Sequence, residues 1–468
     1  MVVRTKGKRI VRLSVIGTGY LGAVHAAGMA DLGFEVVGVD VDPAKVALLQ
    51  RGEAPFYEPG LEPLLRKHVE AGRLRFTTDL AEAAAAEVHF LCVGTPQSRR
   101  SDAADLTYVD DAVARLAAHL ARRAARHPGR PALVVGKSTV PVGTAQRLQA
   151  TLHELAGPHV ELAWNPEFLR EGFAVEDTLH PDRLVFGVRG SRAEQVLRQV
   201  YAEAISQRTP VVVTDYATAE LVKTSANAFL ATKISFINAV AEICDQTGAD
   251  VATLADAIGH DARIGRRFLN AGLGYGGGCL PKDVRAFRAR ADELGVGDSL
   301  DFLSGIEAVN GRRRDRVVEL TRELLGAAPG VSLAGRRVAV LGAAFKPHSD
   351  DIRDSPALDV ARRLDADGAT VTVFDPAANG PARRIAPQLK YADSTLEAAR
   401  GADVVLHLTE WPEFRAIDPA ALADVVARPN VVDARNCLDR EAWTAAGWTY
   451  VGLGRNGRLA INPLEASA

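Results

Sequence analysis

The stretch Gly272-Leu273-Gly274-Tyr275-Gly276-Gly277-Gly278-Cys279-Leu280-Pro281-Lys282-Asp283 sets one thiol among five glycines, ahead of a proline and a charged pair. Glycine lets a backbone come close to a ligand and present its amide donors. A cysteine in that setting is displayed rather than packed away. Lys282, or a helix N-terminus after Pro281, favours the thiolate, which is the nucleophilic form. Cys92 in an apolar run and Cys244 in a long helical pattern read as packing residues, and Cys437 leans the same way. A second chemical signal is Gly17-Thr18-Gly19-Tyr20-Leu21-Gly22, which follows an apolar strand and opens a helical pattern. Gly17 makes a tight turn, Gly19 admits a pyrophosphate and Gly22 permits close helix–strand packing. Asp40 closes the next strand, where its carboxylate accepts from a ribose diol and repels a 2′-phosphate, so NAD is expected rather than NADP. Lys223 and Asn227 are four apart on a helical run, as are Glu167 and Glu171 in the sequence; taken alone, such pairs are ordinary solvated faces.

These residues need a scaffold, and the apolar pattern supplies one. Ile10–Ile16, Glu35–Asp40, Val88–Val93, Ala132–Val135 and Val160–Trp164 are short and mostly apolar. Helical stretches such as Tyr108–Arg126 and Thr144–Leu155 separate them, and Arg183–Val188 and Val211–Val213 continue the series. Strands alternating with helices imply βαβ units and a parallel sheet. Tyr216–Thr247 then reads as one uninterrupted helix, capped by Asp215 and ended by Gly248, on the order of 45 Å long. The alternation resumes at Arg337–Leu341, Thr370–Phe374, Val404–Leu408, Val431–Asp433 and Thr449–Val451, after a loop at Gly326–Ser332. The expected fold is therefore α/β: two doubly wound Rossmann-like domains joined by a long central helix. The expected bounds are residues 1–214, 215–322 and 323–468.

No glycine fingerprint follows the strand that ends near Gly342. Lys346 and Arg353 stand there seven residues apart, before Ser355-Pro356, an N-cap with proline at the first helical position. That suits a nucleotide diphosphate held differently from a dinucleotide.

Composition narrows the classes. The 468 residues are 47% hydrophobic and 24% charged, with a formal net charge of -2, so electrostatic capture of nucleic acid or an anionic membrane is not expected. The four cysteines are far apart and form no CxxC pair, which predicts neither a metal site nor a disulfide framework and fits a reducing cytoplasm. Arg4, Lys6, Lys8 and Arg9 precede an apolar run, Val11–Ile16, that Arg12 breaks; it is too short for a signal core or a membrane span.

Taken together, the chain resembles the UDP-glucose/GDP-mannose dehydrogenase family from end to end. The motifs are Gly17–Gly22, FYEPGL at Phe56–Leu61, Gly94-Thr95-Pro96, KSTVPVG at Lys137–Gly143, NPEFLREG at Asn165–Gly172, LVKTSAN at Leu221–Asn227, the Cys279 loop and FKPHSDDIR at Phe345–Arg353. The helix text ANAFLATKISFIN (Ala226–Asn238) and the cysteine loop are most similar to the members acting on UDP-glucose. Trp164 stands where a small residue is common, and Tyr275 where phenylalanine is frequent.

The resemblance implies a four-electron oxidation of a sugar C6 alcohol to a carboxylate with two NAD+ in succession, through a thiohemiacetal and a thioester on Cys279. It implies that Lys223 neutralises oxyanion charge and that Asn227 orients substrate or water. Asp283 would position a water or tune Lys223. Glu171, with Glu167 beside it, would serve thioester hydrolysis. On the cofactor side it implies Gly17, Gly19, Tyr20, Leu21, Gly22, Asp40, Lys45, Thr95, Thr139 and Arg353. On the substrate side it implies Glu167–Glu171 (including Phe168, Leu169 and Arg170), Lys223, Asn227, Phe268, Leu269, Asn270, Ala271, Gly272, Gly276 and Lys346. Arg263 would come from the partner chain of a homodimer, whose contact would be the long helix through Ile234, Ile237 and Val240. UDP-glucose is the expected substrate. GDP-mannose or a UDP-N-acetylhexosamine stays open, and so does a non-catalytic NAD-binding protein.

Overall fold

The computed structural model describes residues 11–127 and 131–455, so Ile10 and the basic residues before it lie outside the described residues. The chain divides into two compact units. The first runs to Ala226 and includes Arg285–Arg290; the second takes Asn227–Val284 and the residues from Ala291 on.

In the first unit, eight strands form one sheet: β1 (Arg12–Ile16), β2 (Glu35–Val39), β3 (Leu74–Thr77), β4 (Val88–Leu91), β5 (Ala132–Gly136), β6 (Val160–Trp164), β7 (Leu184–Gly187) and β8 (Val211–Thr214). Their order is β3-β2-β1-β4-β5-β6-β7-β8. All neighbours are parallel except β6 and β7, which meet antiparallel at Trp164 and Gly187. β4 and β5 are buried along their whole length, as strands covered on both faces by helices must be, with His89 of β4 the one polar side chain among them. Sequence reading missed β3, in which only Leu74 and Phe76 are buried and charged Arg75 points out. The strand order reverses at β1, so the crevice at the carboxyl ends of β1 and β4 is the natural ligand position.

The second unit carries β9 (Arg337–Leu341), β10 (Thr370–Phe374), β11 (Lys390–Tyr391), β12 (Val404–His407), β13 (Asn430–Asp433) and β14 (Thr449–Gly452). Their order, β11-β10-β9-β12-β13-β14, is parallel throughout. Two doubly wound sheets are thus present, the first parallel but for the β6–β7 pair, each around its own apolar core.

The long helix is a single element, Tyr216–Thr247. Asp215 caps it by accepting from the Thr218 amide at 2.8 Å, and the Tyr216 hydroxyl anchors it by donating to the Leu162 carbonyl at 2.6 Å. Gly248, at φ +77°, ends it in the left-handed conformation. The expectation that Ile234, Ile237 and Val240 form an intersubunit face needs correcting at Ile237, while Ile234 and Val240 are half-buried. Ile237 is fully buried within its own chain, beside Ala241, Cys244 and Leu269, and Val240 packs on that cluster. The apolar side chains the helix does present are Phe229, Phe236 and Ile243, 54–66% exposed and seven residues apart. That spacing puts them on one stripe of the helix.

Candidate active site

The cofactor turn sits at the end of β1. Gly17 has φ +86°, and a Cβ there would fall 2.9 Å from the Val93 Cα; a Cβ at Gly22 would lie 1.8 Å from the Gly17 carbonyl oxygen. A Cβ at Gly19 would meet nothing within 4 Å, so this glycine faces open space at the N-terminus of the helix Tyr20–Asp31. A dinucleotide phosphate is stabilised at such a helix start by amide donors and the helix dipole. Asp40 is 7% exposed. Its carboxylate accepts from the Thr18 amide (2.8 Å), the Thr18 hydroxyl (3.1 Å), the Asp42 amide (3.1 Å) and the Lys45 ammonium (2.9 Å). Burial opposes its ionisation, but Lys45 and the two amides outweigh this and hold it below the usual carboxylate range. Lys45 is therefore placed by Asp40. The Thr95 hydroxyl donates to the Thr139 carbonyl at 2.8 Å, tying together the loops that leave β4 and β5. These residues fit a dinucleotide.

The loop after β6 carries the acidic pair. Asn165–Arg170 is irregular, so the four-residue spacing of Glu167 and Glu171 does not place them on a helix face. Glu167 pairs with Lys223 at 3.0 Å and accepts from the Leu169 amide at 2.6 Å. Lys223 is 5% exposed, and its ammonium stands 5.6 Å from the centre of the Phe168 ring, which Arg183 also covers at 3.8 Å. Arg170 is exposed, and its guanidinium is tied to Asp177. Two residues with no assigned role stand out. Glu58, from the FYEPGL motif, is buried; it accepts from the Gly172 amide (2.6 Å), the Ala174 amide (2.7 Å) and the Tyr20 hydroxyl. It fastens the residues after Glu171 to the first turn of the cofactor helix. Lys137 is buried behind Asn165. The motif spelling alone does not show which of its polar residues turn inward.

In the second unit, Cys279 is exposed. Its carbonyl accepts from the Asp283 amide at 2.9 Å, and the helix Leu280–Glu293 begins at the next residue. The thiol thus stands at a helix N-terminus, where the dipole favours a thiolate. Lys282 pairs with Asp283 at 2.5 Å, and Asp283 also accepts from the Asn227 side-chain amide at 2.7 Å. Asp283 is 2% exposed, held between these two donors. The glycines before Cys279 answer to close packing. A Cβ on Gly276 would lie 2.2 Å from the Asp354 carbonyl oxygen, and one on Gly278 would lie 2.2 Å from the Arg353 guanidinium carbon. Asn310 brackets Tyr275, accepting from its amide at 2.8 Å and donating to its carbonyl at 3.0 Å. Asn238 accepts from the Gly272 amide at 2.8 Å, Asn436 donates to the Ala271 carbonyl at 3.1 Å, and Arg435 donates to the Gly274 carbonyl at 3.1 Å. The displayed thiol thus sits on a clamped loop.

The remaining candidates of this unit fall on loops. Leu269, Ala271, Gly272 and Gly276 are buried; Asn270 is exposed and accepts from Arg266 at 2.7 Å. Phe268 holds φ +67°, unusual for a bulky side chain. The Arg263 side chain is 89% exposed and pairs with Asp261. Arg353 is exposed and pairs with Asp351, and Lys346 lies 5.4 Å from the Phe345 ring centre. Asp375, at the end of β10, matches Asp40 in position. It accepts from the Ala343 amide (2.7 Å), the Ala344 amide (2.9 Å) and the Trp411 indole (3.2 Å), so it is committed to its own turn. Ser355 caps the following helix, Pro356–Ala366, through the Leu358 amide.

The other cysteines differ from Cys279. Burial pushes the Cys92 thiol up to about 12 and also raises those of Cys244 and Cys437. Cys437 shares a cluster with His407 and Asp433, their ligand atoms within 4.8 Å of one another. The Asp433 oxygens there already accept from His407, Tyr450 and the amides of Arg435 and Leu438, which makes the cluster a structural knot.

With this geometry in hand, comparison with known proteins decides the family. Profiles of the UDP-glucose/GDP-mannose dehydrogenase family match in chain order: the NAD binding domain at residues 11–205, the central domain at 217–312 and the UDP binding domain at 339–440. The chain belongs to this family. A UDP-glucose 6-dehydrogenase of Rhizobium meliloti is 42% identical over 95% of this chain and 100% of its own. The structure of a UDP-glucose dehydrogenase from Pyrobaculum islandicum matches with TM-score 0.87 at 38% identity, over 97% of this chain and all of that one. A UDP-D-ManNAc dehydrogenase from Pyrococcus horikoshii matches with TM-score 0.80 at 26% identity, over 96% of this chain and all of that one. Family membership makes this dehydrogenase NAD-dependent and gives it a region for a nucleotide-sugar substrate. Among the described residues, no helix is long and apolar enough to cross a membrane.

Proposed function

We propose that this dehydrogenase oxidises the C6 alcohol of UDP-glucose to the carboxylate of UDP-glucuronate, with Cys279 as its nucleophile. The observation that carries the reading is the exposed Cys279 at a helix start, on a loop clamped by Asn238, Asn310 and Asn436. A two-electron alcohol dehydrogenase has no use for such a thiol. UDP-glucose is preferred over another UDP-hexose because the UDP-glucose relatives are more similar to this chain, at 38–42% identity against 26% for the UDP-D-ManNAc enzyme.

NAD+, when bound, accepts one hydride in each of two oxidations. The chain's own residues do the rest. Asp283, oriented by Asn227, holds a water through which the alcohol proton passes to the Asp283 carboxylate. The Cys279 thiolate adds to the aldehyde carbon and restores a tetrahedral alcohol from which hydride can leave. Lys223 balances the negative charge on the oxygen. A thioester then remains on Cys279. Glu167, which pairs with Lys223 at 3.0 Å, acts as the acid–base for its hydrolysis. It takes a proton from the attacking water, the new C–O bond forms, and the C–S bond breaks to return the Cys279 thiolate. Arg353 and Lys45 serve the cofactor, and Phe268–Gly272, Gly276 and Lys346 the nucleotide sugar.

We further propose a cytoplasmic homodimer. The stripe Phe229–Phe236–Ile243 supports a contact between copies, and the 89% exposure of the Arg263 side chain suits a reach into the partner's sugar site. The proposed functional division is 1–214, 215–322 and 323–468, and the family matches at 11–205, 217–312 and 339–440 support it. The test is Cys279→Ser. Overall turnover should nearly vanish, while an oxygen-ester sugar adduct builds up, since oxygen is a poorer leaving group than sulfur. Wild-type turnover without any adduct by intact mass would remove Cys279 from the mechanism.

A further inference from the structure

Behind Glu167 lies a cavity with about 40 Å³ open to water-sized molecules, lined by His25, Lys137, Asn165, Glu167 and Tyr201 among others. A water needs roughly 10–15 Å³ of such space and two or more polar partners. The lining offers them. His25 is 2% exposed, and its Nε2 has no hydrogen-bond partner among the described residues. Among the described residues, no carboxylate lies within ion-pair distance of the Lys137 ammonium. It rests on neutral oxygens: Asn165 Oδ1 at 3.1 Å, the Tyr201 hydroxyl at 3.3 Å and the Asn165 carbonyl at 3.4 Å. Tyr201 in turn donates to Asn165 Oδ1 at 2.6 Å. A buried cation without a counter-ion is costly unless it has a task. Three carboxylates line the cavity: Glu167, which pairs with Lys223, Asp177, which is tied to Arg170, and Asp182; Arg183 lines it too.

We propose that this cavity is a water and proton channel serving Glu167, with Lys137 as the residue that passes the proton on. The proposal rests on the hydrolytic step assigned above. In that step Glu167 receives a proton from water as the Cys279 thioester is cleaved. Each turnover must then clear this proton, or Glu167 stays blocked. The Lys137 ammonium releases a proton toward the solvent, and the neutral amine left behind takes up the proton that water in the cavity carries from Glu167. Burial lowers the Lys137 pKa to about 8, so the residue exchanges protons near neutrality. His25 is also held neutral by burial and by Lys137, which leaves it able to share a hydrogen bond with the same water. Nothing is oxidised or reduced in this relay. Lys137 and Tyr201 are positioning and relay residues; they do not touch the sugar.

The test compares Lys137→Met and Tyr201→Phe with wild type at pH 8, in rapid-quench runs with UDP-glucose and NAD+. Both variants should give the wild-type burst of two NADH per site. Steady-state turnover of Lys137→Met should then fall roughly tenfold, less than the loss of a directly acting acid–base group, and Tyr201→Phe should fall by less. Acid-quenched Lys137→Met should carry a sugar thioester visible by intact mass. A slowed burst without adduct would make Lys137 a prop for cofactor or substrate and overturn the proposal, as would unchanged turnover in both variants. If Lys137→Met does not fold, the adduct in Tyr201→Phe decides. A wild-type burst of one NADH would instead sink the thioester reading beneath it.

Discussion

At the scale of single residues, the chemistry turns on which carboxylate faces which cation. Glu167 and Lys223 are 3.0 Å apart, and Asp283 is held between Asn227 and Lys282. If Lys223 balances the charge that develops on the sugar oxygen, as proposed, Lys223→Ala should lower kcat roughly 100- to 1000-fold, the cost typical of a lost oxyanion donor. The KM for UDP-glucose should change far less, as steady-state kinetics would read. A change confined to KM would make Lys223 a binding residue. Much of this layer was legible in the chain. The five glycines around one cysteine, and the aspartate closing β2, carry their chemistry in their types and spacing. Pairing was not legible. Glu167 and Glu171 are equivalent as letters, and only the irregular backbone after β6 turns the first toward Lys223. Glu58 and Lys137 lie within recognisable motifs, yet nothing in the spelling tells that both point inward.

At the scale of elements, the long helix was readable end to end because its cap, its stop and its apolar period agree. Which of its sides packs inward was not readable, since Ile237 and Phe236 are both apolar and one position apart. One buried helical carboxylate makes a test. Glu220 is 2% exposed and accepts from the amides of Gly143 (2.7 Å) and Ala145 (2.6 Å), at the start of the helix Thr144–Ala156. Burial raises its pKa to about 7, although the two amides pull the other way. Between its ordinary value and about 7, the folded chain binds more protons at this site than the unfolded chain. Its contribution to stability therefore declines as pH rises through that window. The melting temperature of wild type minus that of Glu220→Gln should be largest near pH 5 and shrink toward pH 8. A difference that grows with pH would mean the two amides dominate and the carboxylate is stabilised as an anion.

At the scale of the whole molecule, two doubly wound sheets divide the ligands. The first keeps Asp40 at the end of β2 beside an open glycine turn, while the second spends the equivalent Asp375 on its own backbone. The alternation of strands and helices announced both sheets; the antiparallel join of β6 and β7 did not show, because a strand's direction leaves no mark on its composition. If Arg263 completes the partner's site, mixing Arg263→Ala chains with Cys279→Ala chains should restore activity. Each homodimer should be nearly inactive, and the heterodimer should hold one intact site, giving at most about half the wild-type rate per heterodimer. No recovery, with subunit exchange shown by native mass spectrometry, would place Arg263 outside the partner's site. The account as a whole rests on two oxidations at one carbon, and the most direct measurement is the NADH formed per UDP-glucose consumed, with the sugar limiting. Two NADH and no free aldehyde is the predicted result; one NADH per sugar, with an aldehyde product, would contradict it.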